Sequence, residues 1–475
     1  MIKQSFYNIL AKLFSIIIYA PAIIIMAQIL SKNDFGLFQQ IIFIITFLGS
    51  LFRFSFDEGI IYFFNFKKEK QYDYLLQSYN FLLITGFIIC LLASLPTIFF
   101  PNLLVENEIL TYSKPIIIYI FLLVTGGLVS KIFIVEEKAE YAALHSFLFF
   151  FSKAVAIVVS LFFNQSIEIL LNICIVINFF NSLFCFNYIK SKCGLPLVNI
   201  DFEIIYEMLS YNIWLTLSWF ISTIERSGDK ILLILLFTST DYAIYNIGGF
   251  RIPLIFLTMS SISEIFLNKI SEFSRTNDLK KIYFYYNKQI KINIIYTFPI
   301  LLLSYYLIDN ILFLFFGLKY QEGLFVFYIL NIGSVVQIFC FDYLFRGLGK
   351  TKAVGVLYLL QFIFFIILLL TVFKENNIIN ISIALTTSII LFGSIKLFLT
   401  KNYLNMSISH LIPVKYLAIS IFSSLLGLIV IYPIKFIALH PLISLIMNIL
   451  IYFIVIFLLY KKMGIFKFLL RLNSE

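Results

Sequence analysis

Charged side chains sit in this sequence where an apolar chain tolerates them least. Residues 218–251 read SWFISTIERSGDKILLILLFTSTDYAIYNIGGFR. Glu225, Arg226, Asp229 and Lys230 fall inside one apolar helical pattern, and Arg251 lies inside the next. An ionised group at mid-bilayer costs about 2.5–3.5 kcal/mol on insertion scales, so its presence there asks for a purpose. At 3.6 residues per turn, Tyr211, Ser218, Ser222, Glu225 and Asp229 share one sector, with Arg226 and Lys230 one step round from it. Other apolar runs repeat the theme. Asn8, Lys12, Ser15 and Tyr19 share a face of the first. Gln39, Thr46, Gly49, Arg53 and Asp57 share a face of the second, with Glu58 beside it. Lys153 lies near the middle of the fifth.

Two chemistries fit this set. Pairs within helical reach, Arg53 with Asp57 and Arg226 with Glu225 or Asp229, would tie helices together. Alternatively, Arg53, Lys153, Arg226, Lys230 and Arg251 would line a water-filled, net-cationic cavity suited to an anionic ligand. Lys12, Asp57, Glu58, Ser222, Glu225 and Asp229 would then line the cavity or couple it to an ion. The cations outnumber the acids available to pair with them, which favours the cavity. Nothing argues for catalysis or a metal cofactor. The three His are scattered, the five Cys have no paired spacing, and there is no phosphate loop, nucleophile elbow or pair of acids in an aqueous loop.

The elements that would position these residues are membrane helices. The chain has 475 residues, 61% hydrophobic and 13% charged. A soluble domain is nearer half apolar and a quarter charged. Runs of about 20 apolar residues recur, each long enough to cross about 30 Å of hydrocarbon. The expected fold is all-α and polytopic, with about 14 transmembrane helices near 6–30, 36–64, 77–100, 115–134, 139–163, 167–189, 207–237, 241–267, 290–316, 322–345, 351–373, 377–399, 414–435 and 440–460. The first run lacks a small-residue cleavage site and is expected to stay as a span. Pro21, Pro253, Pro299 and Pro433 mark expected bends.

Placing the N-terminus in the cytoplasm puts 25 of the 35 Lys and Arg in cytoplasmic segments, 5 outside and 5 within spans. That asymmetry predicts cytoplasmic termini on both ends. The net charge of +10 therefore reads as topology rather than nucleic-acid binding. The Lys-rich, amphipathic stretch 268–291 is expected as a cytoplasmic connection touching anionic lipids.

The chain also repeats itself. ILSKNDFGLFQ at 29–39 is similar to LFTSTDYAIYN at 236–246, which aligns Ser31 with Thr238, Asp34 with Asp241, Phe35 with Tyr242 and Phe38 with Tyr245. Each copy joins the first two spans of a six-span set. The expected organisation is a six-helix lobe at 1–206, a second at 207–400, and two additional helices in 401–475, the lobes forming a parallel repeat.

AQILSKNDFGLFQ (27–39), SGDKILLILLFTSTDYAIYNIG (227–248) and DYLFRGLGKTKAVG (342–355) together carry a resemblance to the polysaccharide transporter family. These are the Wzx-type O-antigen flippases of the larger multidrug, oligosaccharidyl-lipid and polysaccharide flippase group with the MATE-like fold. Asp229, Lys230, Tyr242, Tyr245, Gly349 and Lys350 stand at family positions, and Gly36 and Ala243 fit its small residues. The resemblance implies two lobes around a central cavity in the bacterial cytoplasmic (inner) membrane. It implies translocation of an undecaprenyl-diphosphate-linked oligosaccharide to the outer leaflet, for O-antigen, lipopolysaccharide or capsule. It also implies possible coupling to a H+ or Na+ gradient, and a polysaccharide polymerase and chain-length regulator as partners. Two rivals stand beside it. An ion-coupled small-molecule exporter of the same fold would favour acids over cations. A polymerase would carry a large external loop with catalytic residues, and the longest on that side, 101–114, holds only Glu106, Glu108 and Lys114 as charges.

Overall fold

The computed structural model describes residues 18–99, 108–163, 165–250, 252–371, 377–437 and 440–465, apart from a few side chains within them. Among these residues the structure is helical, and twelve helices are long and apolar enough to cross a membrane. We number the spans α1 (Ile18–Ile29), α2 (Lys32–Leu51 and Phe56–Phe66), α3 (Gln71–Phe99), α4 (Ser113–Thr125 and Val129–Val135), α5 (Ala139–Phe163), α6 (Ile167–Cys193), α7 (Phe202–Leu236), α8 (Ser239–Gly248 and Pro253–Arg275), α9 (Leu279–Phe316), α10 (Gly323–Gln337 and Phe341–Gly347), α11 (Thr351–Thr371), α12 (Ile378–Leu404), α13 (Val414–Ile431) and α14 (Pro441–Lys462). Each expected span has its helix, two of them, α1 and α7, falling outside the twelve.

Four spans are broken into two helices, and the breaks follow the repeat. They are the second and fourth spans of each six: α2, α4, α8 and α10. Packing repeats as well. In the first six, the second part of α2 packs on α3, α3 on the first part of α4, that part on α6, and α5 on α6. In the second six the same relations hold for α8 on α9, α9 on α10, α10 on α12, and α11 on α12.

The helix starts show why the two sequences match. Ser31 caps α2: its Oγ accepts from the Asp34 N–H at 3.1 Å and donates to Asp34 Oδ2 at 2.6 Å. Thr238 makes the same box at α8, accepting from the Asp241 N–H at 3.2 Å and donating to Asp241 Oδ2 at 2.7 Å. Each satisfies an N–H that the first helical turn leaves open. The aromatic pairs that follow, Phe35 with Phe38 and Tyr242 with Tyr245, are all fully buried.

The chain divides into two compact units. The first is 1–223 together with 237–243, and the second is 224–236 together with 244–475. In the first unit Gly36 meets the start of α8 so closely that a Cβ would lie 1.8 Å from the Ser239 carbonyl oxygen. Gln40 Oε1 accepts from Ser239 Oγ at 3.0 Å one turn on.

In the second unit α9 runs unbroken for 38 residues. At 1.5 Å per residue this is roughly 57 Å, nearly twice the hydrocarbon thickness. The stretch 268–291, expected as a connection, is itself helical except for a turn at 276–278, because Asn277 takes a left-handed conformation (φ 53°) and Asp278 caps α9 by accepting from the Lys281 N–H at 3.1 Å. Pro299 sits inside α9 and removes the N–H that would bond the Ile295 carbonyl. The additional helices supply the missing partner. Tyr460 of α14 donates to Ile295 O at 2.9 Å, Tyr452 donates to Pro299 O at 3.0 Å, and Ser420 of α13 donates to Ile294 O at 3.0 Å.

Candidate functional site

The α2 break is where the first unit gathers its charges. Residues 52–55 leave the helix, with Phe54 and Ser55 at positive φ (47° and 53°). Arg53 spans this gap. Its Nη1 donates to Asp57 Oδ2 at 2.7 Å, its Nη2 to Ser50 Oγ at 3.0 Å and its Nε to Gly49 O at 3.3 Å. One guanidinium thus satisfies both sides of the break. Asp57 lies in the first turn of the second half-helix, where the peptide dipoles favour a negative charge. The Arg53 stem lies against the α4 break, where a Cβ on Gly127 would come within 2.9 Å of it. Lys131, beyond that break, pairs with Glu58 at 2.7 Å. Thr216 of α7 donates to Ser55 Oγ at 3.2 Å. Asn212, one turn before, packs on Gly59 and is fully buried with no hydrogen-bond partner for its amide.

Lys153 of α5 is held by tyrosines. It is 9% exposed. Its Nζ donates to the Tyr119 hydroxyl at 2.9 Å and stands 5.1 Å from the Tyr19 ring centroid. A buried ammonium held by two aromatic rings is stabilised by the ring quadrupole and the phenol oxygen rather than by a carboxylate.

In the second unit α7 and α8 share two polar contacts. Tyr245 donates to Asp229 Oδ2 at 2.7 Å, and Lys230 Nζ donates to Asn246 Oδ1 at 2.8 Å. Asp229 is buried. Ser222, Glu225 and Arg226 belong to α7, but their side chains, like Lys12 and Arg251 altogether, lie outside the described residues.

The structure thus brings Arg53, Asp57 and Glu58 together, joins Asp229 and Lys230 to α8, and buries Lys153 against Tyr119 and Tyr19. It also shows a group that charge counting missed. Lys396 of α12 pairs with Asp342 at 3.4 Å, the Tyr358 hydroxyl donates to the same carboxylate, and the Lys396 Nζ stands 4.0 Å from the Tyr358 ring centroid. Lys396 reads as a cytoplasmic flank in the sequence. The signal that finds it is an apolar residue on both sides of a lone Lys, within FGSIKLFLT.

Residues 1–264 match the family described as "Polysaccharide biosynthesis protein". The chain belongs to this family. No curated protein sequence matches it. Among solved structures, the lipid II flippase MurJ in its inward closed conformation superposes with a TM-score of 0.73 at 17% identity, covering 98% of this chain and 100% of that one. An inward-facing multidrug resistance MATE transporter of the MOP superfamily gives 0.65 at 13% identity, over 84% and 98%. A MOP superfamily transporter from Pyrococcus furiosus gives 0.58 at 12% identity, over 85% and 95%. At these identities the likeness establishes the fold. This member of the family is a polytopic, all-helical membrane protein with the architecture of those transporters.

Proposed function

We propose that the chain is a flippase. It carries an undecaprenyl-diphosphate-linked oligosaccharide, a repeat unit of O-antigen, capsule or a related surface polysaccharide, from the cytoplasmic to the outer leaflet of the bacterial inner membrane. The supporting observation is the polysaccharide-biosynthesis family match over 1–264, on a chain whose fold follows a lipid II flippase along nearly its whole length.

The chemistry is consistent. A diphosphate and acidic sugars need cations, and the proposed contacts are Arg53, Lys153, Arg226, Lys230 and Arg251. Lys12, Asp57, Glu58, Ser222, Glu225 and Asp229 are proposed to line the path or couple it to H+ or Na+. In the described geometry Arg53 spends three of its five N–H donors on Gly49, Ser50 and Asp57, so a substrate oxygen would have to be taken by the remaining Nη1 and Nη2 hydrogens. Both termini are cytoplasmic in this reading, anionic lipids flank that side, and a polymerase and chain-length regulator take the product.

Deletion should make the lipid-linked repeat unit accumulate in the inner leaflet, and restoring the gene should clear it. A deletion strain with no accumulation but altered drug tolerance would instead identify an exporter of the same fold.

A further inference from the structure

The second unit contains buried oxygens without hydrogen-bond partners, and three fall on one line. Gln289 Oε1, Asn293 Oδ1 and Thr297 Oγ1 are unpartnered, and the three residues are 0% exposed. Four-residue spacing stacks them on one face of α9. The other ends of the two amides are occupied. Gln289 Nε2 donates to Ser263 Oγ at 2.8 Å. Asn293 Nδ2 donates to Ile338 O at 3.0 Å and lies 3.1 Å from Cys340 Sγ, both at the α10 break. Flipping Asn293 would set its oxygen against the Ile338 carbonyl, so its orientation is fixed by that contact.

Thr297 is the more telling member. Helical threonines elsewhere in the chain, including Thr46, Thr85, Thr125, Thr216 and Thr400, donate back to the carbonyl four residues earlier. Thr297 makes no such bond. A hydroxyl that forgoes its own helix while fully buried has another partner to serve. The α10 break meets the same line. Its Cys340 is in a left-handed conformation (φ 46°), and Ile338 O is served by a side chain from another helix. Irregular backbone at membrane depth persists where protein or water satisfies it.

Water is the occupant that fits. It donates as well as accepts, and buried water settles where two to four polar groups converge. We infer that α9 carries a file of bound water along Gln289, Asn293 and Thr297 that hydrates the α10 break. The inference stands apart from the flippase proposal, because it rests on contacts among α8, α9 and α10 alone.

X-ray hydroxyl-radical footprinting of the full-length protein in lipid nanodiscs tests it. Bound water generates radicals in place, so Ile294 and Ile338 beside the line should be modified several-fold faster than Ile308 and Leu312, which are equally buried on or against the same helix. Modification no faster than at those controls overturns the proposal. Exchanging Na+ for N-methylglucamine should leave the pattern unchanged; a pattern that requires Na+ would replace the water with a monovalent cation. Thr297→Val gives the independent sign. In a dry core it removes an unpaired hydroxyl and raises the melting temperature, which would overturn the proposal. With water present it strands that water and lowers the melting temperature, while Thr297→Ser stays near wild type.

Discussion

Arg53 holds Asp57 at 2.7 Å across the gap where α2 stops being a helix. The pair is a splint: across the gap the helical ladder gives way to turn bonds, Phe54 N–H to Leu51 O and Phe56 N–H to Arg53 O, and one guanidinium bonds to both sides. Arg53→Ala leaves a carboxylate that is only 13% exposed without its partner. Breaking a fully buried pair costs about 3–5 kcal/mol, and the residual exposure here brings the expected loss to about 1–3 kcal/mol. Arg53→Ala combined with Asp57→Ala should recover part of that stability, measured as melting temperature in detergent. If the single change leaves the melting temperature unmoved, the pair does not splint the gap.

Gly36 should tolerate no side chain. An added Cβ would lie 1.8 Å from the Ser239 carbonyl oxygen, so even Gly36→Ala forces the two helix starts apart. Overpacking of this kind costs about 1–3 kcal/mol or more. Membrane abundance of Gly36→Ala should fall well below that of Gly355→Ala, since Gly355 has open space around it. Equal abundance would contradict the close approach.

The clip on Pro299 predicts coupling between distant positions. Tyr460→Phe removes the hydroxyl serving Ile295 O and should cost about 1–2 kcal/mol, a hydrogen bond plus a buried carbonyl left open. In Pro299→Ala the helix can supply its own N–H to that carbonyl, so Tyr460→Phe should then cost much less. Additive melting shifts in the double mutant would show that the tyrosine serves something else.

Asp278 gives a pH-dependent helix start. Backbone N–H bonding from Lys281, with the Lys281 ammonium nearby, holds its carboxyl below the ordinary range. A depressed carboxyl stabilises the folded state above its unfolded pKa, and that contribution disappears as pH falls through the folded value. Amide exchange at 279–282, corrected for intrinsic rates, should therefore speed up on acidification, and Asp278→Asn should flatten the response. A pH-independent profile in the native chain would rule out the cap.

The periodic content was readable before the structure. Twenty-residue apolar runs marked where helices lie, twelve of them among the described residues long and apolar enough to cross a membrane, and the Ser31 and Thr238 boxes were visible as a repeated turn because capping chemistry is local. The breaks were less so. Pro253 announced the one in α8, and the structure places Gly126–Gly127 at the one in α4. The α2 and α10 breaks fall at Phe52–Ser55 and Ile338–Cys340, where non-glycine residues adopt positive φ under tertiary contacts that no local pattern encodes. The pairing of Lys153 with tyrosines rather than acids was equally hidden. Charge counting sees ions, but not the phenols and ring faces that solvate them.

The ownership of 237–243 has a genetic consequence. A seven-residue segment encoded after the midpoint completes the unit built from the first half, seated on Gly36. A gene split at the 194–201 connection would leave the first fragment without 202–223 and without the piece that covers its glycine. Complementation by separately expressed halves would then be obligatory rather than optional. Recombination between relatives at that connection would be selected against unless both fragments came from the same parent.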